Sequence, residues 1–312
     1  TPLYSSAASD VYKRQANKVL FQMSEDILKQ LGLESSASQS EKNNEFVERL
    51  PDQALVKKDP IVQVKEATFA YGRNVILESV EMQIHDSEFW CFIGPNGEGK
   101  TTLIKALLGA LRPKRGIVQL RADFARRSRI GFVPQKCDLN PSIPTTIQSF
   151  VIQGTAGLNV EESKLKRRVQ KSLEVMGIQQ IRDRSIWRVS GGQRQRAMVA
   201  RALVRDPLLM IVDEPTAGLD LAASSGLLKT ITKLNRQHGI TVIFVTHDLQ
   251  LAGRHASHLA VLKNRQVKCG PVGETLTGEN LEMAFGVPTE VRPEASGGYI
   301  VQANVEQQEI LA

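Results

Sequence analysis

The residues best suited to chemistry run from 94 to 102: Gly94-Pro95-Asn96-Gly97-Glu98-Gly99-Lys100-Thr101-Thr102. They match G-x-x-x-x-G-K-[ST], the spacing of a loop that wraps a polyphosphate. Glycine lets the backbone turn its N–H groups inward onto phosphate oxygens. Lys100 brings a point charge to the β and γ phosphates, and the Thr101 hydroxyl is suited to bind Mg²⁺. Such a loop needs a strand before it and a helix after it. Phe89 to Ile93 is almost wholly apolar, and Leu103, Ile104, Leu107, Leu108 and Leu111 recur at helical spacing over 101–111. The start of that helix aims unpaired N–H groups and its dipole at the same phosphates. Glu98 is discordant, a negative charge beside a polyanion, and its side chain is expected to point to solvent.

A second group of polar residues sits at predicted strand ends. Leu208-Leu209-Met210-Ile211-Val212 reads as a buried strand and runs into Asp213-Glu214. In an open parallel sheet the carboxyl ends of neighbouring strands meet at one edge. Asp213 is then placed to hold Mg²⁺, and Glu214 to polarise an attacking water. The strand read over Thr241 to Val245 ends at Thr246-His247-Asp248. There His247 can donate to a γ-phosphate or align Glu214. Gln135 follows the strand read over Ile130 to Pro134. Its amide can sense both the metal and the water, and it stands where a helical insert leaves the sheet.

The elements that must hold these residues follow from periodicity. Strands are predicted from Ile61 to Tyr71, Val75 to Ile84, Phe89 to Ile93, 117–121, 130–134, 208–212 and 241–245. From Gln135 to Val204 the pattern is helical. One helix carries Val169, Leu173, Val175 and Met176, and another runs from Gln193 to Arg205. A helical insert within a mainly parallel sheet accounts for that order, an α/β fold. Residues 1–59 are read as an N-terminal extension with an amphipathic helix over 16–34 and a polar linker over 35–59. Residues 5–15 resemble a translated sequencing adapter. Residues 60–270 form the compact domain, with a helical subdomain at about 138–205. Residues 271–312, rich in Gly, Pro and Glu, are expected to form a short C-terminal tail.

Bulk properties narrow the class. No apolar run approaches the roughly 20 residues of a bilayer span, so any membrane role is peripheral. Cys91, Cys137 and Cys269 lack metal-ligand spacing, and Cys91 lies in an apolar run that suits a buried thiol. The net charge is +7, and residues 161–206 alone hold twelve Lys or Arg against five Asp or Glu. That segment is read as a solvated helix face, or one turned to a membrane-bound partner. His238, His255 and His258 are read as surface or helix-end residues.

Val189-Ser190-Gly191-Gly192-Gln193 resembles the signature loop of ATP-binding cassette (ABC) ATPases, with Val in place of the usual Leu. Tyr71, 94–102, Gln135, 189–193, 208–214, Ala217-Gly218-Leu219-Asp220 and His247 follow one another in that family's order, and the resemblance covers roughly 61–270. It implies a P-loop NTPase with a RecA-like core, an antiparallel β subdomain and a helical insert. It implies ATP and Mg²⁺ as ligands. Tyr71 would stack on adenine. Ser190, Gly191, Gly192 and Gln193 would face the γ-phosphate bound by a second subunit, and Asp220 would lie in the loop that crosses the interface. Thr101, Gln135 and Asp213 would be the metal ligands, and Glu214, His247, Gln135 and Lys100 the catalytic set.

One chain carries one set of motifs, so the second cassette is expected to be another copy, bound head-to-tail. The other partners implied are an integral membrane permease, docked near residues 137–155 and the helix that follows, and through it an extracytoplasmic substrate-binding protein. The chain is then peripheral on the cytoplasmic face of the inner membrane. The run from Arg129 to Lys136, followed by Leu139 to Ile147, is similar to that of zinc and manganese importer ATPases. Other cargoes remain open: siderophore or haem uptake, or lipid or drug export. A non-transport cassette acting on nucleic acid or ribosomes is the further alternative. Such proteins often carry two cassettes or a long coiled-coil insert, so no nucleic-acid partner is expected.

Overall fold

The structure is a computed structural model that describes residues 59–124, 127–137, 140, 142–295 and 297–303. The helix expected over 16–34 and the segment 5–15 lie outside the described residues. In chain order the elements are β1 (Val62–Tyr71), β2 (Asn74–Ile84), β3 (Phe89–Ile93), α1 (Lys100–Leu107), β4 (Arg115–Leu120) and β5 (Ile130–Val133). Then come α2 (Ile147–Ile152), α3 (Glu162–Val175), α4 (Gly191–Leu203), β6 (Leu209–Asp213), α5 (Leu221–His238), β7 (Thr241–Val245) and α6 (Leu249–His255). The last are β8 (His258–Lys263), β9 (Gln266–Pro271), α7 (Val272–Thr275), α8 (Gly278–Phe285), β10 (Thr289–Pro293) and β11 (Tyr299–Ala303).

The chain divides into two compact units. One holds the described residues up to Gln135, with 208–217 and those from Ile231 on; the other holds 136–207 and 218–230. The first contains a six-stranded sheet in the order β5-β6-β7-β3-β8-β9. All of its pairings are parallel except β8 with β9. Every residue of β3 and β7 is buried. Burial on both faces is why these strands read as continuous apolar runs. The register is decisive for the site. Phe92 lies opposite Val245, and Val245 lies opposite Asp213, so β3 and β6 end level across β7.

An antiparallel sheet, β2-β1-β4, completes the core of this unit. Its apolar positions, among them Phe69, Leu77 and Ile84, join Trp90 and Phe92 of β3 and Leu103 and Leu107 of α1 in one cluster. Helix α1 stops at Leu107, short of the expected 111, because Gly109 turns the chain at φ 72°. The Gly- and Pro-rich stretch after residue 270 forms short elements through residue 303. Leu276, Leu281, Ala284 and Val301 are buried, and the Gln250 side chain on α6 donates to the Val301 carbonyl.

The second unit is built on α2, α3, α4 and the first part of α5. All of α2 is buried, and Thr146 caps it by accepting from Ser149 N. The basic residues of 161–206 are only partly a solvated face. Arg194 stacks on Trp187, and Arg201 on Phe150. Arg196 donates to the Met176 carbonyl, and Arg205 donates to those of Gly154 and Ala156. These arginines tie the helical unit together, whereas Lys164 and Lys166 pair with Glu161 and Glu162 at the surface.

Phe92 is fully buried at the centre of the large sheet. Phe92→Ala is expected to destabilise the protein by about 3–5 kcal/mol. Urea denaturation followed by circular dichroism measures it, with a lowered midpoint as the expected outcome.

Candidate functional site

Residues 94–99 connect the end of β3 to the start of α1. Gly94, Gly97 and Gly99 take φ of 146°, 87° and 97°. Sterics add to this conformational demand at two of them. A Cβ on Gly94 would lie 2.3 Å from the Leu262 carbonyl oxygen of β8, and one on Gly99 would lie 2.8 Å from Leu77 Cδ2. Helix α1 opens at Gly99 with no side-chain cap and no acid in its first turn. Its N-terminal N–H groups are therefore left for an anion. Thr102 is buried beside them, while Thr101 is exposed. The Lys100 amine donates to the carbonyls of Gly94 (2.7 Å) and Pro95 (2.8 Å), at the mouth of the loop.

The Asp213 and Glu214 carboxylates lie within electrostatic reach of the Lys100 amine. Burial lowers the Lys100 pKa, and the charges of Glu214, Asp213 and Glu98 oppose that shift. Asp213 is pushed up, first by burial and then by the Glu214 charge, with Lys100 acting the other way. Glu214 has φ 43°, a left-handed conformation that is strained for a non-glycine residue. Its N–H donates to the Val245 carbonyl of β7, 3.1 Å away. Its Oε2 accepts from Gln135 Nε2 at 2.7 Å. Lys100, Asp213, Glu214 and Gln135 are thus brought together at one sheet edge.

His247 follows β7 and is exposed. Tyr71 ends β1, is 46% exposed and carries the Lys105 amine 5.6 Å above its ring. Ser190, Gly191, Gly192, Gln193 and Asp220 belong to the other compact unit. Ser190 and Gln193 form a reciprocal capping box at the start of α4: Ser190 Oγ accepts from Gln193 N, and Gln193 Oε1 accepts from Ser190 N. That box stiffens the entry to the helix, and the serine hydroxyl keeps its own proton to donate. A Cβ on Gly192 would come 3.0 Å from Ala223 Cβ, so glycine permits the close approach of α4 and α5. Asp220 Oδ1 accepts from Ala223 N, which gives this carboxylate a local role at the start of α5.

Sequence reasoning missed three features. Lys105 stands over Tyr71, and no periodicity signals that contact. The second is the bond from Glu214 N to Val245. The third concerns Glu98, expected to point to solvent, which instead is tied to the β8–β9 turn. Its Oε1 lies 3.2 Å from Lys263 Nζ, and its Oε2 accepts from Asn264 N at 2.8 Å. Asn264-Arg265, both at positive φ, is a two-residue hairpin turn that its strand-flanked sequence could have revealed.

The donor set suits Mg²⁺ with a polyphosphate. Among the described residues no three His, Cys, Asp or Glu side chains are grouped to hold a metal. Mg²⁺ takes one or two carboxylates and completes its shell with water and substrate phosphates. Asp213, half-buried at the end of β6, provides one such carboxylate.

A glycine-rich loop between β3 and α1, facing acids at the end of β6, defines a nucleotide-binding protein of the P-loop class. The profile of the family described as ABC transporter matches residues 77–217. The zinc import ATP-binding protein ZnuC of Pseudomonas putida is 33% identical over 221 residues, 71% of this chain and 81% of its own length. A solved structure described as a metal-chelate type ABC transporter, in an inward-facing conformation, aligns with a TM-score of 0.69 at 25% identity. It covers 78% of this chain and 97% of its own. A dimeric ATP-binding cassette, MJ0796, in a post-hydrolysis state with ADP and Pi, aligns with a TM-score of 0.57 at 27% identity, covering 68% of this chain and 98% of its own. This chain belongs to the ABC transporter family, as an ATP-binding subunit homologous to metal-import ATPases. Among the described residues no helix is long and apolar enough to cross a membrane.

The raised pKa of Asp213 has a defined consequence for stability. The folded protein holds that proton more tightly than the unfolded chain does. The stabilisation is present at low pH and is lost as pH rises through the folded-state value. Above that value the ionised, half-buried carboxylate is a cost in protein free of metal and nucleotide. Asp213→Asn is expected to raise the Tm of such protein at pH 7, and the gap to wild type should narrow on acidification. Thermal melts across pH 4–8 provide the test.

Proposed function

We propose that this chain is the ATP-hydrolysing subunit of an ABC importer for a divalent metal ion, zinc or manganese. The observation that carries hydrolysis is the 2.7 Å bond from Gln135 to Glu214, on a strained backbone at the end of β6. In this reading Gln135 aims Glu214, which accepts a proton from water attacking the γ-phosphorus. The bond from that phosphorus to the bridging oxygen breaks, leaving ADP and phosphate. Lys100 and the backbone from Gly94, Pro95, Asn96, Gly97 and Gly99 to Thr101 and Thr102 hold the β and γ phosphates. Mg²⁺, held by Thr101, Asp213 and Gln135, would neutralise phosphate charge. His247, exposed at the end of β7, donates to the γ-phosphate, and Tyr71 stacks on adenine.

The signature residues Ser190 to Gln193 and Asp220 would act on ATP held by a second copy, head-to-tail. The dimeric cassette with ADP and Pi supports that reading. Domain limits of 60–270, with a helical subdomain near 138–205, suit a cassette of this kind. The named activity of the zinc import relative and the metal-chelate transporter support the cargo. The partners are an integral permease and, through it, an extracytoplasmic binding protein, which puts this chain at the cytoplasmic face of the inner membrane. Because α2 is buried, the permease surface is assigned to Ser142 and Pro144 ahead of it and to the exposed face of α3.

Glu214→Gln keeps the side chain's shape and removes the base. It is expected to retain ATP binding, lower turnover about 100-fold or more, and accumulate a nucleotide-bound dimer on size-exclusion chromatography. Wild-type turnover in that variant would reject the assignment. Cells carrying it should also lose uptake of labelled zinc or manganese; undiminished uptake of both would exclude the cargo.

A further inference from the structure

A carboxylate inside a phosphate loop is an electrostatic liability unless it is neutralised and turned aside, and here both conditions are met. Glu98 Oε1 lies 3.2 Å from Lys263 Nζ, with both side chains about three-quarters covered. Glu98 Oε2 accepts from Asn264 N at 2.8 Å. Lys263 ends β8, and Asn264-Arg265 turn the chain into β9 at φ of 50° and 67°. That turn is itself anchored, because Glu78 N of β2 donates to the Arg265 carbonyl at 2.8 Å. The same strand end walls the start of the loop, since a Cβ on Gly94 would strike the Leu262 carbonyl. The Glu98 charge is also within electrostatic reach of the Lys100 amine.

We infer that Lys263 is a positioning residue for ATP, which draws the Glu98 carboxylate onto the β8–β9 turn and cancels its charge beside the bound triphosphate. This rests on the ATPase reading above and adds to it a residue far outside the loop motif. Without the lysine, Glu98 keeps its bond to Asn264 N, but its charge faces the phosphates unopposed. The deficit must therefore fall on nucleotide affinity rather than on the chemical step. It must shrink when salt screens the charge, and it must vanish when Glu98 is made neutral.

The test is a charge cycle on the full chain, read by equilibrium binding of a fluorescent ATP analogue and by KM and kcat for ATP. K263M is expected to raise Kd and KM roughly two- to tenfold, the range of a partly exposed ion pair, with kcat nearly unchanged. Raising the salt concentration should narrow the difference. E98Q, which keeps an acceptor for Asn264 N, should bind at least as tightly as wild type and should restore K263M in the double variant. K263R, which keeps the charge, should stay near wild type. Unchanged affinity in K263M overturns the inference, as does a deficit that E98Q does not relieve or that falls on kcat. If wild type itself binds no nucleotide, the ATPase reading fails and takes this inference with it. Wild-type binding with an inert K263M defeats the inference alone.

Discussion

Parallel pairing through β7 sets Phe92, Val245 and Asp213 at one level, and every charged group at the sheet edge hangs from that register. Two residues beyond Phe92 the chain enters the phosphate loop, and one residue beyond Asp213 it reaches Glu214. A one-residue slip of β6 would invert the faces of its side chains and carry the acids away from Lys100. The strands resist such a slip because they are apolar and buried on both faces, so misregistered pairs would leave the tightly packed core around Phe92 and Ile243 unfilled.

The register concentrates charges that do not suit one another. Lys100 is buried, Asp213 is half-buried, and Glu214 adds a second carboxylate on a strained backbone. Each feature costs stability in the isolated chain, and each is relieved by a polyphosphate with a divalent cation. The cluster therefore reads as a binding site rather than as a device for stability. The one charge that a polyphosphate would not relieve, on Glu98, is tied down separately by the neighbouring turn.

The helical unit follows a different logic. Arg194 and Arg201 stack on Trp187 and Phe150, and Arg196 and Arg205 donate to carbonyls left open at turns and helix ends. Guanidinium is planar, weakly hydrated and rich in donors, so it can work as internal glue where ammonium cannot. Lys164 and Lys166 of the same segment stay outside, paired with Glu161 and Glu162 at the start of α3. A charge count over the segment cannot separate these two uses, because they differ only in where the side chains point.

The sequence by itself determined the phosphate loop, the acid pair after an apolar strand, and the α/β class. These signals are local: glycine spacing, apolar runs and a helix start all lie within a few residues of one another. It also determined the order of the motifs, and with it the family resemblance. Only the tertiary structure decided the partners of single side chains. Gln135 meets Glu214, Lys105 meets Tyr71, and Lys263 meets Glu98 across long stretches of chain, and no local pattern encodes such meetings. Beyond residue 270 the sequence implied only short peripheral structure, and which of its residues are buried, Leu276, Leu281, Ala284 and Val301 among them, was decided by the tertiary packing, because those residues are few and widely spaced.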